Sequence, residues 1–289
     1  MSGAPQQPLP ARGGIGLKPS HFADVLDAAG RGAGPHWVEV HPQNYMMAGG
    51  PMHRSLTAVR DVFPVSFHSV GLSLGDPGGC DLGELERLAV LTDRYHPAMI
   101  SDHLSWSSLD GERIPDLLEM PMTDASLAHF ASEIGRVQDR LQRPILVENP
   151  SRMLAFAGDD YDEPAFLAEL CARCGCGLLL DVNNVIVSSI NLGLDPDRYL
   201  DAIDGRLVGE IHAAGHSIED HGNGVRLAID DHGSPVSEQC WGLLARLIDR
   251  IGPKPVLVER DNDIPAFAEL AAECARADGL LSIELAHAA

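Results

Sequence analysis

Lysine is almost absent from this 289-residue chain, with only Lys18 and Lys254 present. Basic residues number 21 against 42 acidic ones, a formal net charge of −21. No Lys/Arg cluster interrupts that excess, so a polyanion such as DNA is repelled, which argues against nucleic acid as a partner. Long apolar runs are missing too. No stretch reaches the roughly 18 apolar residues that span a bilayer. The N-terminus, Met1 to Arg12, is rich in Pro and Gln and has no apolar signal-peptide core. These absences predict a cytoplasmic protein without membrane attachment and with a short disordered lead over residues 1–12. Cysteine is sparse, at six residues, and a disulfide framework is not expected in a cytoplasmic protein of this size. Cys171 and Cys174 have CxxC spacing, but neither a second CxxC nor a nearby His accompanies them. The segment CARCGC therefore reads as a helix end packing before a strand.

What is present is a rhythm. Hydrophobic residues make up 45% of the chain, enough for a large core. Short apolar runs recur as GGIGL (13–17), HWVEVHP (36–42), PVSFHSV (64–70), AMISDHL (98–104), PILVEN (144–149), GLLLDVNN (177–184), LVGEIHAAG (207–215) and PVLVERD (255–261). Between them, stretches such as DLGELERLAVLTDRY and EPAFLAELCARC place apolar residues at helical spacing. Strands alternating with helices predict a parallel sheet covered by helices. Eight such units predict closure into a (β/α)₈ TIM barrel, a single domain over residues 13–289. An open doubly wound sheet is the alternative, but no GxGxxG follows a strand. The polar, glycine-rich segment 216–235 reads as a long loop after the seventh strand.

The strand ends carry the chemistry. The third run ends at His68, the fourth at Asp102-His103, the fifth at Glu148-Asn149 and the sixth at Asp181, with Asn184 three residues on. The seventh carries Glu210 and His212, its following loop Asp230 and His232, and the eighth ends at Glu259. In a (β/α)₈ barrel the C-terminal strand ends converge on one rim, where active sites sit. One ionisable strand end is unremarkable, but so many at a dry rim would each cost several kcal/mol uncompensated. Divalent cations are the simplest compensation, with carboxylates bridging and imidazoles capping. Strand periodicity puts Leu146 with Glu148, Glu210 with His212, and Leu257 with Glu259 on shared faces.

The motifs VENPS (147–151), LLLDVNNVIVSS (178–189), EIHAAGH (210–216), IDDHGSPV (229–236) and LVERDNDIP (257–265) together resemble the multinuclear non-heme iron-dependent oxidative enzymes, relatives of the iron subunit of the methanobactin-forming oxidase. WVEVHPQNYM (37–46) and HSVGLSLG (68–75) look like the same family, so the likeness runs from about Gly14 to about Leu281. The ligand order also resembles that of the three-metal barrel endonucleases of abasic-site repair, implying a xylose-isomerase-like barrel. By that match His68, His103 and Glu148 would hold one ion; Glu148, Asp181, His212 and Glu259 a second; Asn184, Asp230 and His232 a third. Asn184 stands where the endonucleases have a histidine, and a neutral amide oxygen is a weaker ligand. Asp230 fits the Asp-x-His pattern, with Asp231 the open alternative.

The resemblance implies two to three iron ions per chain and O₂-dependent oxidation of a cysteine-containing, ribosomally made precursor peptide. It also implies a small partner protein that captures the peptide's leader. His216, four residues after His212, is the candidate catalytic residue near the ions. Glu39 and His41 share a face of the second strand and divide between a supporting or substrate role and structural hydrogen bonding. Asn149 and Asn183 are expected to orient ligating carboxylates. Trp106 and Tyr45 are expected in the core, and His21, His53, His96, His129 and His287 in solvent. A zinc- or manganese-dependent isomerase or hydrolase on the same barrel is the competing function, because carboxylate–imidazole sites accept all three metals.

Overall fold

Eight short parallel strands close on themselves in the order in which they leave the ribosome. The computed structural model describes residues 8–109, 112–222, 224 and 226–287. The strands are β1 (Gly13–Gly16), β2 (Trp37–Val40), β3 (Val65–His68) and β4 (Met99–His103), then, after the hairpin β5 (Trp106–Leu109) and β6 (Glu112–Leu118), β7 (Leu146–Glu148) and β8 (Gly177–Asp181). β9 (Val208–Ala213) follows, then the hairpin β10 (Ser217–Asp220) and β11 (Arg226–Ile229), and last β12 (Val256–Val258). The barrel runs β1-β2-β3-β4-β7-β8-β9-β12 and closes through β12 pairing with β1. Each of the eight apolar runs of the sequence forms one barrel strand.

The helices form the outer ring: α1 (Phe22–Gly30), α2 (Pro51–Arg60), α3 (Leu82–Tyr95), α4 (Asp124–Leu141), α5 (Glu163–Cys174), α6 (Val182–Leu192), α7 (Pro196–Ala202), α8 (Glu238–Ile251) and α9 (Phe267–His287). Their starts follow local rules. Asp81, Asp162 and Ser237 each cap an N-terminus by accepting a backbone N–H three residues on. Thr123 and Ser126 cap α4 reciprocally. At the other end of α5, Cys174 is followed by Gly175 in the left-handed conformation before β8 begins, so CARCGC is a helix end before a strand.

Alternation along the strands sorts side chains to two cores. Val65 and Phe67, or Leu178 and Leu180, face the helices and join the large outer core. Trp37, Leu146, Leu179 and Leu257 are equally buried but lie apart from it, inside the barrel. A Cβ on Gly14 would stand 2.3 Å from the Trp37 ring, and one on Gly209 2.8 Å from Leu146. Glycine at these two positions makes room for the large side chains that plug the barrel floor. The floor leaves the interior polar only above it, at the C-terminal strand ends.

Residues 105–120 carry no apolar strand pattern, and 216–235 has the composition of a loop. Both contain antiparallel hairpins, β5–β6 and β10–β11, standing on the C-terminal rim. Their strands pair only with each other, so they carry none of the apolar signal of a barrel strand. The N-terminal lead expected over 1–12 lies mostly outside the described residues. At its last position, Arg12 pairs with Asp278 of α9.

Asp278 is the clamp of the closure. It accepts from Arg12 Nε and Nη2 at 3.1 and 2.7 Å, from Gly13 N at 2.6 Å, and lies 2.7 Å from His36 Nε2. Burial pushes its carboxyl up, but the Arg12 and Gly13 donors outweigh that and hold it below the usual range. A carboxylate with a depressed folded pKa adds stability that is present above the unfolded value of about 3.9 and is lost as pH falls further. Asp278→Ala is expected to destabilise the protein by about 3 kcal/mol at neutral pH, read by urea unfolding. The deficit should shrink below pH ~4, and a deficit independent of pH would remove the charge from the explanation.

Candidate metal centre

Strand periodicity turns Ser66 and His68, Ser101 and His103, Leu146 and Glu148, Leu179 and Asp181, Glu210 and His212, and Leu257 and Glu259 toward the barrel axis. Cross-strand register sets the heights: His103 pairs with Glu148, and Asp181 with His212. A ring of donors results, with Glu148, Asp181, His212 and Glu259 at 3% exposure or less. Asp181 ends β8 and caps α6, accepting from Asn184 N at 2.6 Å through Oδ1. That contact brings Asn184, on the first turn of α6, to the same cavity. Asp230 and His232 arrive from the end of β11. His232 has φ +48°, a left-handed conformation that a non-glycine residue adopts only where surroundings enforce it.

Around Glu148 Oε2, His68 Nε2 lies at 3.0 Å and His103 Nε2 at 3.1 Å, and these two nitrogens are themselves 3.1 Å apart. His212 Nδ1 is 3.0 Å from Glu259 Oε2, which is 3.5 Å from His232 Nδ1. His232 Nε2 is 2.7 Å from Asp230 Oδ1. Donors bound at about 2.0–2.2 Å to one ion stand about 2.8–3.1 Å apart in octahedral and about 3.3–3.6 Å apart in tetrahedral arrangement. The separations around Glu148 have the octahedral size. Among the described residues, five sets of potential ligands lie in and around the cavity: His68, His103 and Glu148; Glu148, Asp181 and His212; Asp181, His232 and Glu259; His41, Glu259 and Asp261; and Glu39, Glu210 and His212. Glu148 thus belongs to two sets, as the sequence match implied. Asp181, His212 and Glu259 also belong to two each, which the match did not imply.

Hydrogen bonding prepares these atoms as ligands. His103 Nδ1 donates to Ser69 O at 3.2 Å, so its Nε2 carries the lone pair. His68 Nδ1 is tied to Ser101 Oγ at 2.7 Å. Glu148 Oε2, Asp181 Oδ2, Asn184 Oδ1, Glu259 Oε2, His232 Nε2 and both nitrogens of His212 are buried without a hydrogen-bond partner. Orphaned groups so concentrated are costly unless a cation completes them. Burial pushes His68 down to about 3 and His103 down to about 4, so both are neutral at physiological pH, as ligands must be. Burial raises Glu148 and Asp181. Burial opposes charge on His212 and His232, yet the carboxylates facing them, Glu39 and Glu259 for the first, Asp230 and Glu259 for the second, hold both well above the usual value. The cavity calls for positive charge, and the donor set of imidazole, carboxylate and amide oxygen fits borderline divalent metals.

His216 does not line the central cavity. Its Nδ1 is 2.8 Å from Asn183 Oδ1, and Asn183 Nδ2 donates to Asp230 Oδ1 at 2.8 Å, so it stands behind Asp230. Asn183 thereby orients a carboxylate as expected, whereas Asn149 holds the Asp181 backbone, N–H and carbonyl both. Asp231 Oδ1 accepts from Gly233 N in its own turn, while Asp230 faces His232. Tyr45 is buried, and Trp106 is half-buried on β5. His21 and His53 are buried rather than solvated, His53 donating from Nε2 to Met47 O and meeting Tyr95 Oη with Nδ1, each at 2.7 Å. His96 and His129 are half-buried, and the His287 side chain lies outside the described part. Asp261 was not singled out, yet it stands 3.6 Å from His232 and 3.5 Å from His41 and pairs with Lys18. Its place two residues after Glu259, on the same face, was the available signal.

The cavity holds about 170 Å³ and opens into a groove of about 850 Å³ between the two hairpins; Val70, Leu117, Ser151 and Asp230 line both. Ile114, Met153, Val187 and Ile229 make the groove largely apolar.

Comparison with known proteins agrees with this architecture. A family model described as "RiPP precursor modification enzyme MbnB/TglH/ChrH" matches residues 12–282. A protein of Caulobacter vibrioides termed "UPF0276 protein" is 50% identical over 269 residues, covering 93% of this chain and 94% of the relative. A Bordetella pertussis relative, likewise termed a UPF0276 protein, is 42% identical over 285 residues, covering 99% and 98%. Among solved structures, an L-ribulose 3-epimerase superposes with a TM-score of 0.63 at 16% identity, covering 96% of this chain and 97% of that one. Endonuclease IV of Thermus thermophilus superposes with a TM-score of 0.57 at 18% identity, covering 96% and 99%. At such identities the structural likeness is one of fold.

Glu148→Ala and Glu259→Ala are each expected to abolish loading of the central ion, since each removes a carboxylate shared by neighbouring donors. Asn184→Ala should deplete only the weakest-held ion. Elemental analysis of the three purified variants checks this, and full metal content in Glu148→Ala would refute the cage.

Proposed function

Because the chain belongs to the RiPP precursor modification enzyme family MbnB/TglH/ChrH, we propose that it is an iron-dependent oxidase of cysteine in a ribosomally made precursor peptide, with O₂ as oxidant. The observation that carries the metal part is the convergence of His68, His103 and Glu148 at 3.0 to 3.1 Å beside a second and third donor set sharing their carboxylates. His68, His103 and Glu148 would hold one ion; Glu148, Asp181, His212 and Glu259 a second; Asn184, Asp230 and His232 a third. Bound ferrous ions would supply O₂ activation and a point of attachment for a thiolate sulfur.

The chain's own residues do the rest. Ser69 O and Ser101 Oγ orient the two neutral imidazoles, and Asn183 orients Asp230, so that donors meet substrate without reorganising. The narrow cavity, about 170 Å³, has room for a single substrate side chain. The apolar groove would seat the neighbouring residues of an extended peptide, with Leu117 and Asp230 at the passage between the two. His216, buffered by Asn183, would steady Asp230 rather than touch substrate. As the family resemblance implies, recognition of a leader would fall to a separate small partner protein. The reaction belongs in the cytoplasm, where such peptides are made. Among the described residues no helix is long and apolar enough to cross a membrane.

Protein purified without oxygen is expected to carry two to three iron ions per chain. Stoichiometric zinc alone, with no activity restored by iron, would favour the hydrolase or isomerase reading. With its partner present, the enzyme should change the mass of a co-expressed precursor peptide only when O₂ is supplied. Replacing the target cysteine by serine should block the change, because a hydroxyl is a far poorer ligand for ferrous iron than a thiolate. Mass spectrometry reads the result, and equal modification without O₂ or without the cysteine would overturn the mechanism. The net charge of −21 predicts no cleavage of abasic-site DNA at physiological salt.

A further inference from the structure

Below the donor ring lie two carboxylates that the three proposed ion sites leave unused. Glu39 of β2 and Glu210 of β9 are buried inside the barrel at 2% and 0% exposure. Glu39 Oε2 is 3.4 Å and Glu210 Oε1 3.6 Å from Nε2 of His212. None of these three atoms has a hydrogen-bond partner in the structure. Ser66 Oγ donates to the other Glu210 oxygen at 3.1 Å, which leaves Oε1 for His212. The opposite imidazole nitrogen, Nδ1, faces the ring at 3.0 Å from Glu259 Oε2.

A neutral imidazole has one N–H and one lone pair, and its surroundings decide which nitrogen carries which. On the Nδ1 side, Glu148, Asp181 and Glu259 belong to the proposed metal position, so the carboxyl oxygens of Glu39 and Glu210 are the acceptors left for the ring N–H, which places it on Nε2 and the lone pair on Nδ1. A shift of a few tenths of an ångström brings the N–H into bonding range of either oxygen. Of the other ring imidazoles, His103 is held by a backbone carbonyl and His68 by a serine hydroxyl, whereas His232 faces the Asp230 carboxylate from the rim. A carboxylate behind an imidazole makes it a more basic ligand as well as fixing its tautomer. A cation on Nε2 instead would require both nitrogens of His212 to be unprotonated, a far more acidic state of the ring.

We infer that Glu39 and Glu210 are positioning residues: together they accept the Nε2–H of His212 and so aim its Nδ1 lone pair at the central metal position. The inference rests on the metal part of the function proposed above and not on its peptide chemistry.

The test strips the full-length protein with a chelator and titrates it with Co(II), whose visible absorption reports each donor set. Glu39→Leu/Glu210→Leu is expected to weaken one site by about 10- to 100-fold. Glu39→Gln/Glu210→Gln, whose amide oxygens still accept, should recover most of that loss, with circular dichroism confirming the fold of both. In zinc-loaded protein labelled with ¹⁵N-histidine, His212 should show a protonated Nε2 and a metal-bound Nδ1. Wild-type Co(II) affinity in the folded leucine pair would overturn the proposal, as would a His212 with metal on Nε2. Should the leucine pair not fold, the glutamine pair and the wild-type nitrogen spectrum still decide. No peptide enters the assay, so its failure and a failure of the peptide reaction are separable.

Discussion

Glu39, Glu148, Asp181, Glu210 and Glu259 share the mouth of one barrel with His68, His212 and His232, and none of the five carboxylates is more than 3% exposed. Holding that much ionisable chemistry away from water is the constraint on which the rest of the structure depends. A single unpaired buried carboxylate costs several kcal/mol. The cost is bearable where positive charge is supplied at the centre and each donor is held so rigidly that it cannot turn away. Closure of the parallel barrel provides the rigidity, because His68, His103, Glu148, Asp181, His212 and Glu259 stand on, or just beyond, strand ends hydrogen-bonded on both sides.

The layering explains how one interior can be both apolar plug and polar cage. Trp37 and Leu146, admitted by Gly14 and Gly209, fill the floor. Above them Ser66, Glu39 and Glu210 form a hydrogen-bonding layer, and above these the donors open to the rim. Charge rises with height, so the reactive side has one exit, the groove between the two hairpins. The same scaffold in other proteins serves other chemistry, which lives in the donor set and the rim rather than in the barrel.

Much of the fold was legible in residue order. Eight apolar runs separated by helical spacing predict eight parallel strands, and all eight form the barrel. Strand-end His, Asp and Glu could be picked out because apolar runs otherwise exclude them, and the structure brings those from β3, β4, β7, β8, β9 and β12 to one cavity. The hairpins β5–β6 and β10–β11 were invisible because polar, solvent-facing strands carry no burial signal. His53 was misjudged because its partner, Tyr95, lies 42 residues away.

By itself, then, the order of residues determined the barrel, the strand ends that carry donors and the acidic character that disfavours nucleic acid. These follow from local periodicity and from composition, which need no knowledge of neighbours. Only the tertiary structure decided which face of each strand is the inside, since period-two alternation is symmetric until the sheet closes. It alone set Asp181 in two donor sets and stood His216 behind Asp230 through Asn183. It also placed Glu39 and Glu210 under His212, although β2 and β9 lie far apart in the chain. Such contacts depend on cross-strand register and barrel curvature, which no single strand encodes.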